Sequence, residues 1–295
     1  MSLPGRLVIV GAGLIGGSVA AAARERGYAS YVVGVDAARS ALEQGTGLAL
    51  LDAVGMPRDL GPDDLLVIAT PTLAVPGVLE ELAAGDGSFA GGATVTDVAS
   101  VKGSVVAAAA ALPGGVPERF VPGHPIAGSE RSGIGAARAD LFAGRRVILT
   151  PVAGTDAAAC ARVRDLWTAL GAEVTEMDLA EHDRILAMTS HLPHLLAFAL
   201  VDRLGREPEH ETIFGLAAGG FRDFTRIASS DPVMWADIFT ANGAATRDVL
   251  DRLLADLGTL RDRLEAGDRD ALLEVLGRAK RLRDEHVLGA AGGSV

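Results

Sequence analysis

The chain has 295 residues, a length that suits two domains, and a formal net charge of −11 from 27 Lys and Arg against 38 Asp and Glu. Basic residues scattered among more numerous acids leave no face for neutralising phosphates, and aromatics at 4% supply few stacking platforms, so no nucleic-acid partner is expected. Hydrophobic residues at 49% describe a folded protein. The lone Cys160 excludes an intrachain disulfide.

No charged-then-apolar leader is visible at the N-terminus, and the longest weakly apolar run, Val105 to Leu112, is far shorter than the roughly 20 residues that span a bilayer. The expectation is a cytoplasmic protein with no membrane partner. Arg6 to Val10 (RLVIV) reads as a strand, GAGLIGGS from Gly11 to Ser18 as a tight turn, and the Ala-rich stretch up to Gly27 as a helix. Further strands are predicted at Tyr31 to Val35, Leu65 to Ala69, Thr94 to Val98, Phe120 to Val121, Arg146 to Thr150 and Glu173 to Met177. Strands alternating with helices imply an α/β fold, a doubly wound Rossmann-type parallel sheet over residues 1–178.

From Leu179 the period-2 alternation stops, and helical spacing is interrupted only at Gly215, Gly219 and Gly220, Pro232 and Gly243. Residues 179–295 are therefore expected to form an all-α domain. Leu250, Leu253, Leu254, Leu257, Leu260 and Leu264 repeat at i, i+3, i+4 and i+7, a stripe that either an intrachain core or a second subunit must cover. The tail from Gly289 to Val295 is expected to be mobile.

Gly11, Gly13 and Gly16 form G-x-G-x-x-G between a strand and a helix, the context in which the motif binds a dinucleotide. Gly11 permits the tight turn, Gly13 lets the backbone approach a pyrophosphate, and Gly16 allows close packing of helix on strand. Leu14 and Ile15 lie inside the motif, and Thr70 and Pro71 end the third predicted strand. Asp36 closes the second strand, where a carboxylate accepts the ribose hydroxyls and repels a 2′-phosphate. NAD is thus expected over NADP, with the nearby Arg39 as the contrary feature.

His124 lies in PGHPIAGSERSG just past a predicted strand, where open α/β sheets bind ligands, and it is suited to taking a proton near neutral pH. The alternative is an ordinary surface-loop histidine. Ser100 follows another strand end and could orient His124, while Lys102 beside it is either functional or simply solvated. His191 and His194, at i and i+3 around Pro193, lack the carboxylate or Cys partners of a metal site, so no metal is expected. Arg222 and Arg226 are four apart. Either offers a two-pronged donor to a carboxylate, or pairs with Asp223 or Asp231. No G-x-S-x-G elbow, P-loop or C-x-x-C is present.

Taken together, GAGLIGGS, DVASVKG, HPIAGSERSG, EHDRILAMTSHLPH and GGFRDFTRIASSDPVMW resemble, in order, the blocks of the prephenate dehydrogenase family, which includes arogenate and cyclohexadienyl dehydrogenases. The resemblance implies an N-terminal nicotinamide-binding domain and a helical C-terminal dimerisation domain, hence a homodimer. It implies NAD-dependent oxidative decarboxylation of prephenate to 4-hydroxyphenylpyruvate in tyrosine biosynthesis. By the same resemblance His124 is the catalytic base, Ser100 its hydrogen-bonding partner beside the cofactor, and Arg226 the holder of a substrate carboxylate. His191, His194, Ser129 and Glu130 would line the substrate pocket. Arogenate or 4-amino-4-deoxyprephenate are the alternative substrates, and a catalytically idle NAD-binding sensor is the alternative of a different class.

Overall fold

The structure is a computed structural model that describes residues 3–84, 89, 91–129 and 131–288. Glu130 and the tail from Gly289 lie outside the described residues. Nine strands run β1 (Leu7–Val10), β2 (Val32–Val35), β3 (Ala53–Val54), β4 (Leu65–Ile68), β5 (Thr94–Asp97), β6 (Phe120–Val121), β7 (Gly123–Pro125), β8 (Arg146–Leu149) and β9 (Glu173–Glu176). Helices α1 (Leu14–Glu25), α2 (Arg39–Gly47), α3 (Val75–Ala84), α4 (Lys102–Ala110) and α5 (Ala157–Ala169) fall between them.

Six strands form one parallel sheet in the order β3-β2-β1-β4-β5-β6. Its order reverses between β1 and β4, so their C-terminal ends make the crevice where such sheets take ligands. LVIV in β1 and LLVI in β4 are buried along their whole length, as central parallel strands covered on both faces must be. Alternate side chains feed two cores. Leu7, Ile9, Leu65 and Val67 pack with Val19 and Trp167 on one face, and Val8, Val10, Leu66 and Ile68 pack with Leu79 and Val105 on the other.

The strands at 146 and 173 do not extend this sheet, as a single doubly wound sheet would require. They form a second sheet, β7-β8-β9, in which β7 runs antiparallel to β8 and pairs His124 with Ile148. His124 is accordingly held in a strand rather than a surface loop. The sequence reads as a turn there because Gly123 and Pro125 flank it, yet an edge strand tolerates a proline that cannot donate to the ladder.

Beyond Asp178 the described residues are helical: α6 (Leu179–Leu186), α7 (Leu192–Gly205), α8 (His210–Gly215), α9 (Gly219–Thr225), α10 (Pro232–Ala241), α11 (Gly243–Glu265) and α12 (Arg269–Arg283). The interruptions named above fall at helix ends: Gly215 closes α8, Gly219 opens α9, Pro232 opens α10 and Gly243 opens α11. Asp178 caps α6 by accepting from the N–H groups of Ala180 and Glu181 at 2.9 and 3.2 Å.

A single π-turn over Ala187–His191 joins α6 to α7 into one helical run from Leu179 to Gly205. Pro193 explains it, since a proline at i+4 gives the Thr189 carbonyl no N–H and its ring crowds that carbonyl outward. By length and composition alone this run could cross a bilayer, with an 18-residue window of mean hydropathy 1.4. That corrects the expectation that Val105 to Leu112 is the longest apolar stretch. The run also carries His182, Asp183, His191 and His194, and only 22% of its apolar window is buried.

The chain forms two compact units, one ending at Thr246 and one beginning at Arg247. In the second unit α12 is capped by Asp268, which accepts from the Ala271 N–H at 3.1 Å. None of the six leucines of the 250–264 stripe is buried, and Leu254 and Leu264 are 55% and 66% exposed. Among the described residues no intrachain core buries the stripe.

Candidate active site

At the crevice, Gly11 (φ +105°) turns the chain so tightly that a Cβ would stand 2.5 Å from the backbone of Ala69. A Cβ on Gly16 would meet the Gly11 carbonyl oxygen at 2.0 Å, whereas one on Gly13 would meet nothing within 4 Å. Gly13 caps α1 without a side-chain acceptor, so the first-turn N–H groups of Leu14, Ile15 and Gly16 have no acceptor from the cap at this positive helix end. Asp36 stands beside this loop, its Oδ2 accepting the Ala12 N–H at 2.7 Å and its Oδ1 the Ala38 N–H at 2.7 Å. Arg39 pairs with Glu43 at 2.9 Å, one turn along its own helix. Across the crevice, the Thr70 hydroxyl next to Pro71 is buried with no hydrogen-bond partner among the described residues. An open helix N-terminus, an acidic strand end and an orphaned hydroxyl at one switch point fit a dinucleotide.

The end of β5 builds the second half of the site. Lys102, the first residue of α4, is fully buried; its Nζ contacts Asp97 Oδ2 and donates to the Gly123 carbonyl at 2.7 Å. The solvated reading of Lys102 therefore fails. Burial drives its pKa below the ordinary lysine value, opposed by the Asp97 carboxylate. Asp97 also accepts from the Ala99 N–H at 2.9 Å, which ties the pair to the backbone and to the strand that carries His124.

His124 is 8% exposed, and its Nδ1 lies 2.9 Å from His182 Nε2. His182 Nδ1 in turn donates to Asp183 Oδ1 at 2.8 Å. The Asp183 carboxylate also receives the Lys102 and Gly103 N–H groups at 2.9 and 2.7 Å, so a residue of α6 caps α4. A side chain at Gly103 would stand 2.7 Å from Asp183 Oδ2, which is why that position is glycine. Burial, then repulsion from His182, Lys102 and His191, holds His124 well below the ordinary histidine pKa, so it is a neutral base at physiological pH. Burial alone would raise Asp183, but the bonds from His182 and the two N–H groups outweigh it and keep its carboxyl below the usual range.

A side branch continues through Asn242, whose Nδ2 donates to the Asp183 carbonyl at 2.9 Å and lies 3.1 Å from His191 Nδ1. The carbonyl bond fixes which end of the amide is nitrogen, so His191 accepts there and carries its proton on Nε2. Burial pushes His191 down to about 4. His194 donates to the Ser190 carbonyl at 2.9 Å and stacks on Trp235 with ring centroids 3.6 Å apart. Burial lowers its pKa, and the Arg226 guanidinium adds to the effect, which sets Arg226 within electrostatic reach of His194. Asp231 is occupied in capping α10, accepting from Val233 and Met234.

Of the residues singled out from sequence, His124 and His191 thus belong to one hydrogen-bonded network, and His194 stacks on Trp235 within electrostatic reach of Arg226. Ser100 is not the partner of His124 Nδ1, because His182 occupies that nitrogen, and no hydrogen bond of the Ser100 hydroxyl is found among the described residues. Ser129 is exposed and accepts from the Arg131 N–H at 3.2 Å. His182, Asp183 and Asn242 escaped notice. The adjacent His and Asp just after the α6 cap were the available signal. Among the described residues no three His, Cys, Asp or Glu converge to hold a metal ion.

The chain matches the sequence model of the prephenate dehydrogenase nucleotide-binding domain over residues 19–176 and that of the prephenate dehydrogenase dimerization domain over residues 178–278. A cyclohexadienyl dehydrogenase of Zymomonas mobilis is 36% identical over 282 residues, 94% of each sequence. Among solved structures, prephenate dehydrogenase from Aquifex aeolicus in complex with hydroxyphenyl propionate and NAD+ is 34% identical with a TM-score of 0.88, covering 97% of this chain and 99% of that one. Synechocystis arogenate dehydrogenase is 29% identical with a TM-score of 0.79, covering 96% of this chain and all of that one. With both of its halves matched and the glycine crevice and histidine network in place, the chain belongs to the prephenate dehydrogenase family.

Proposed function

We propose that this protein is an NAD-dependent prephenate dehydrogenase that oxidatively decarboxylates prephenate to 4-hydroxyphenylpyruvate. The observation that carries the reading is a buried, uncharged His124 beside a dinucleotide crevice. Its role is to take the proton of the substrate's C4 hydroxyl on the ring nitrogen that does not face His182. NAD, when bound, supplies the acceptor for the C4 hydride. The carboxylate on the ring leaves as CO2, and the electron pair it releases completes an aromatic ring, so the chain's residues mainly position and polarise.

Gly13 and the first-turn N–H groups of Leu14, Ile15 and Gly16 would receive the pyrophosphate, Asp36 the ribose hydroxyls, and Thr70 with Pro71 and Ser100 the nicotinamide end. Asp36, already bonded to the loop, and the pairing of Arg39 with Glu43 both favour NAD over NADP. Arg226 offers a charged fork to a substrate carboxylate, and by the family resemblance His191, His194, Ser129 and Glu130 would line the substrate pocket. The division near Asp178 follows the change from alternating strands and helices to helices alone. The matched dimerization domain and the bare leucine stripe of α11 favour a homodimer through the helical part, and the −11 charge suits a soluble cytoplasmic enzyme.

Arogenate is the second reading, favoured by the likeness to the Synechocystis arogenate dehydrogenase. The test is the absorbance of NADH formed by purified protein given prephenate or arogenate, each with NAD or NADP. Prephenate with NAD is expected to turn over fastest. Turnover on arogenate alone moves the reading to the second substrate, and turnover on neither, with NAD still bound, leaves 4-amino-4-deoxyprephenate or the idle sensor.

A further inference from the structure

His124 is a base only if the correct nitrogen is bare, and its own sequence neighbours do not decide that. The decision lies 58 residues away, on α6. Asp183 is an ionised carboxylate and so accepts only; the helix end it caps, through the Lys102 and Gly103 N–H groups, holds it in that state. His182 Nδ1 must therefore carry the proton of the 2.8 Å bond to Asp183, and Nε2 is the nitrogen left to accept. His182 is fully buried, and the Lys102 ammonium stands in the same dry region, where a second cation would be costly. The lone pair at Nε2 faces His124 Nδ1 at 2.9 Å, so Nδ1 is the nitrogen of His124 that bears hydrogen.

We propose that His182, fixed by Asp183, is a positioning residue that holds His124 with its proton on Nδ1 and a bare Nε2 directed to substrate. This rests on the role given to His124 above. The chain Asp183–His182–His124 passes orientation, not a proton, since each Nδ1–H already has its acceptor. It also ties the base to α4 of the nucleotide-binding part, because the carboxylate that sets the tautomer caps the helix following β5.

The direct test is selective 15N labelling of histidine in the whole wild-type protein, with His124 and His182 assigned by their Gln variants. The expected spectrum gives His124 a protonated Nδ1 and an unprotonated Nε2, and gives His182 the same pattern. A doubly protonated His182, or His124 protonated on Nε2, would overturn the proposal. That readout needs no turnover, so it stands apart from whether prephenate is the substrate.

Kinetics give the second arm. His182→Leu removes the acceptor and is expected to lower kcat about 10²-fold or more, with KM within about threefold. His182→Gln keeps an oxygen acceptor near Nε2 and is expected to recover most of that loss. Equal damage in both variants would mean that His182 only fills space, and undiminished kcat in His182→Leu would mean that it does nothing for the base.

Discussion

The turn after β1 and the short strand β7 both follow the C-terminal edge of the parallel sheet, yet different forces hold them. The turn is mostly backbone work: Gly11 and Gly16 leave no room for a Cβ against the backbone of Ala69 and of Gly11, and of the side chains Asp36 adds the bond to the Ala12 N–H. Strand β7 is held by side chains that have left water: Lys102 with Asp97 beneath Gly123, and His182 with Asp183 behind His124. Local geometry gives a rigid, open cradle for a ligand that brings its own charge. The buried network instead gives a base whose proton is placed in advance, at the cost of desolvating several ionisable groups.

The largest effect that would sharpen this contrast lies in the turn. Gly16→Ala forces a Cβ to 2.0 Å from a carbonyl oxygen and is expected to destabilise the fold by about 5 kcal/mol in urea unfolding. Gly13→Ala, chemically the same change three residues earlier, is expected to move stability by less than about 1 kcal/mol while weakening NAD binding. Similar losses in both would erase the distinction between a packing glycine and a ligand-facing one.

Lys102→Met leaves Asp97 buried beside Gly123 without its cation, and a loss of about 3 to 5 kcal/mol is expected from the same measurement. Lys102→Met with Asp97→Leu is expected to recover part of it. An unchanged midpoint for the single variant would show that the pair contributes nothing to β7.

A smaller effect appears with pH. Unfolded histidines take up protons near pH 6.5, whereas folded His191 holds out to about 4 and His124 also stays neutral well below the ordinary value. The unfolded state then binds more protons as pH falls, so stability is full above about 6.5 and drops below it. His191 alone accounts for about 2 kcal/mol between pH 7.5 and 5, and His191→Asn is expected to flatten that slope.

The same contrast explains what could be read without coordinates. Gly11, Gly13, Gly16 and Asp36 announce themselves because a turn, a helix start and a strand end are local, and glycine is the residue those conformations demand. Helix ends at Gly215, Gly219, Pro232 and Gly243 are legible for the same reason. Strand β7 was hidden because its Gly and Pro look like a turn, and only pairing with β8 makes it a strand. His182 and Asp183 act on residues 58 and 81 positions away, a proximity that no spacing rule contains. Lys102 is ambiguous in sequence because a lysine at a helix start is normally solvated; only its burial on Asp97 makes it structural.

In the proposed reaction a neutral His124 removes a proton from a substrate held by Arg226. That step is tested most directly by steady-state kinetics of His124→Ala and Arg226→Ala with prephenate and NAD. His124→Ala is expected to lower kcat by about 10² to 10⁴-fold with KM little changed, and Arg226→Ala to raise KM with the smaller change in kcat. A wild-type kcat in His124→Ala, or the two patterns exchanged between the variants, would contradict it.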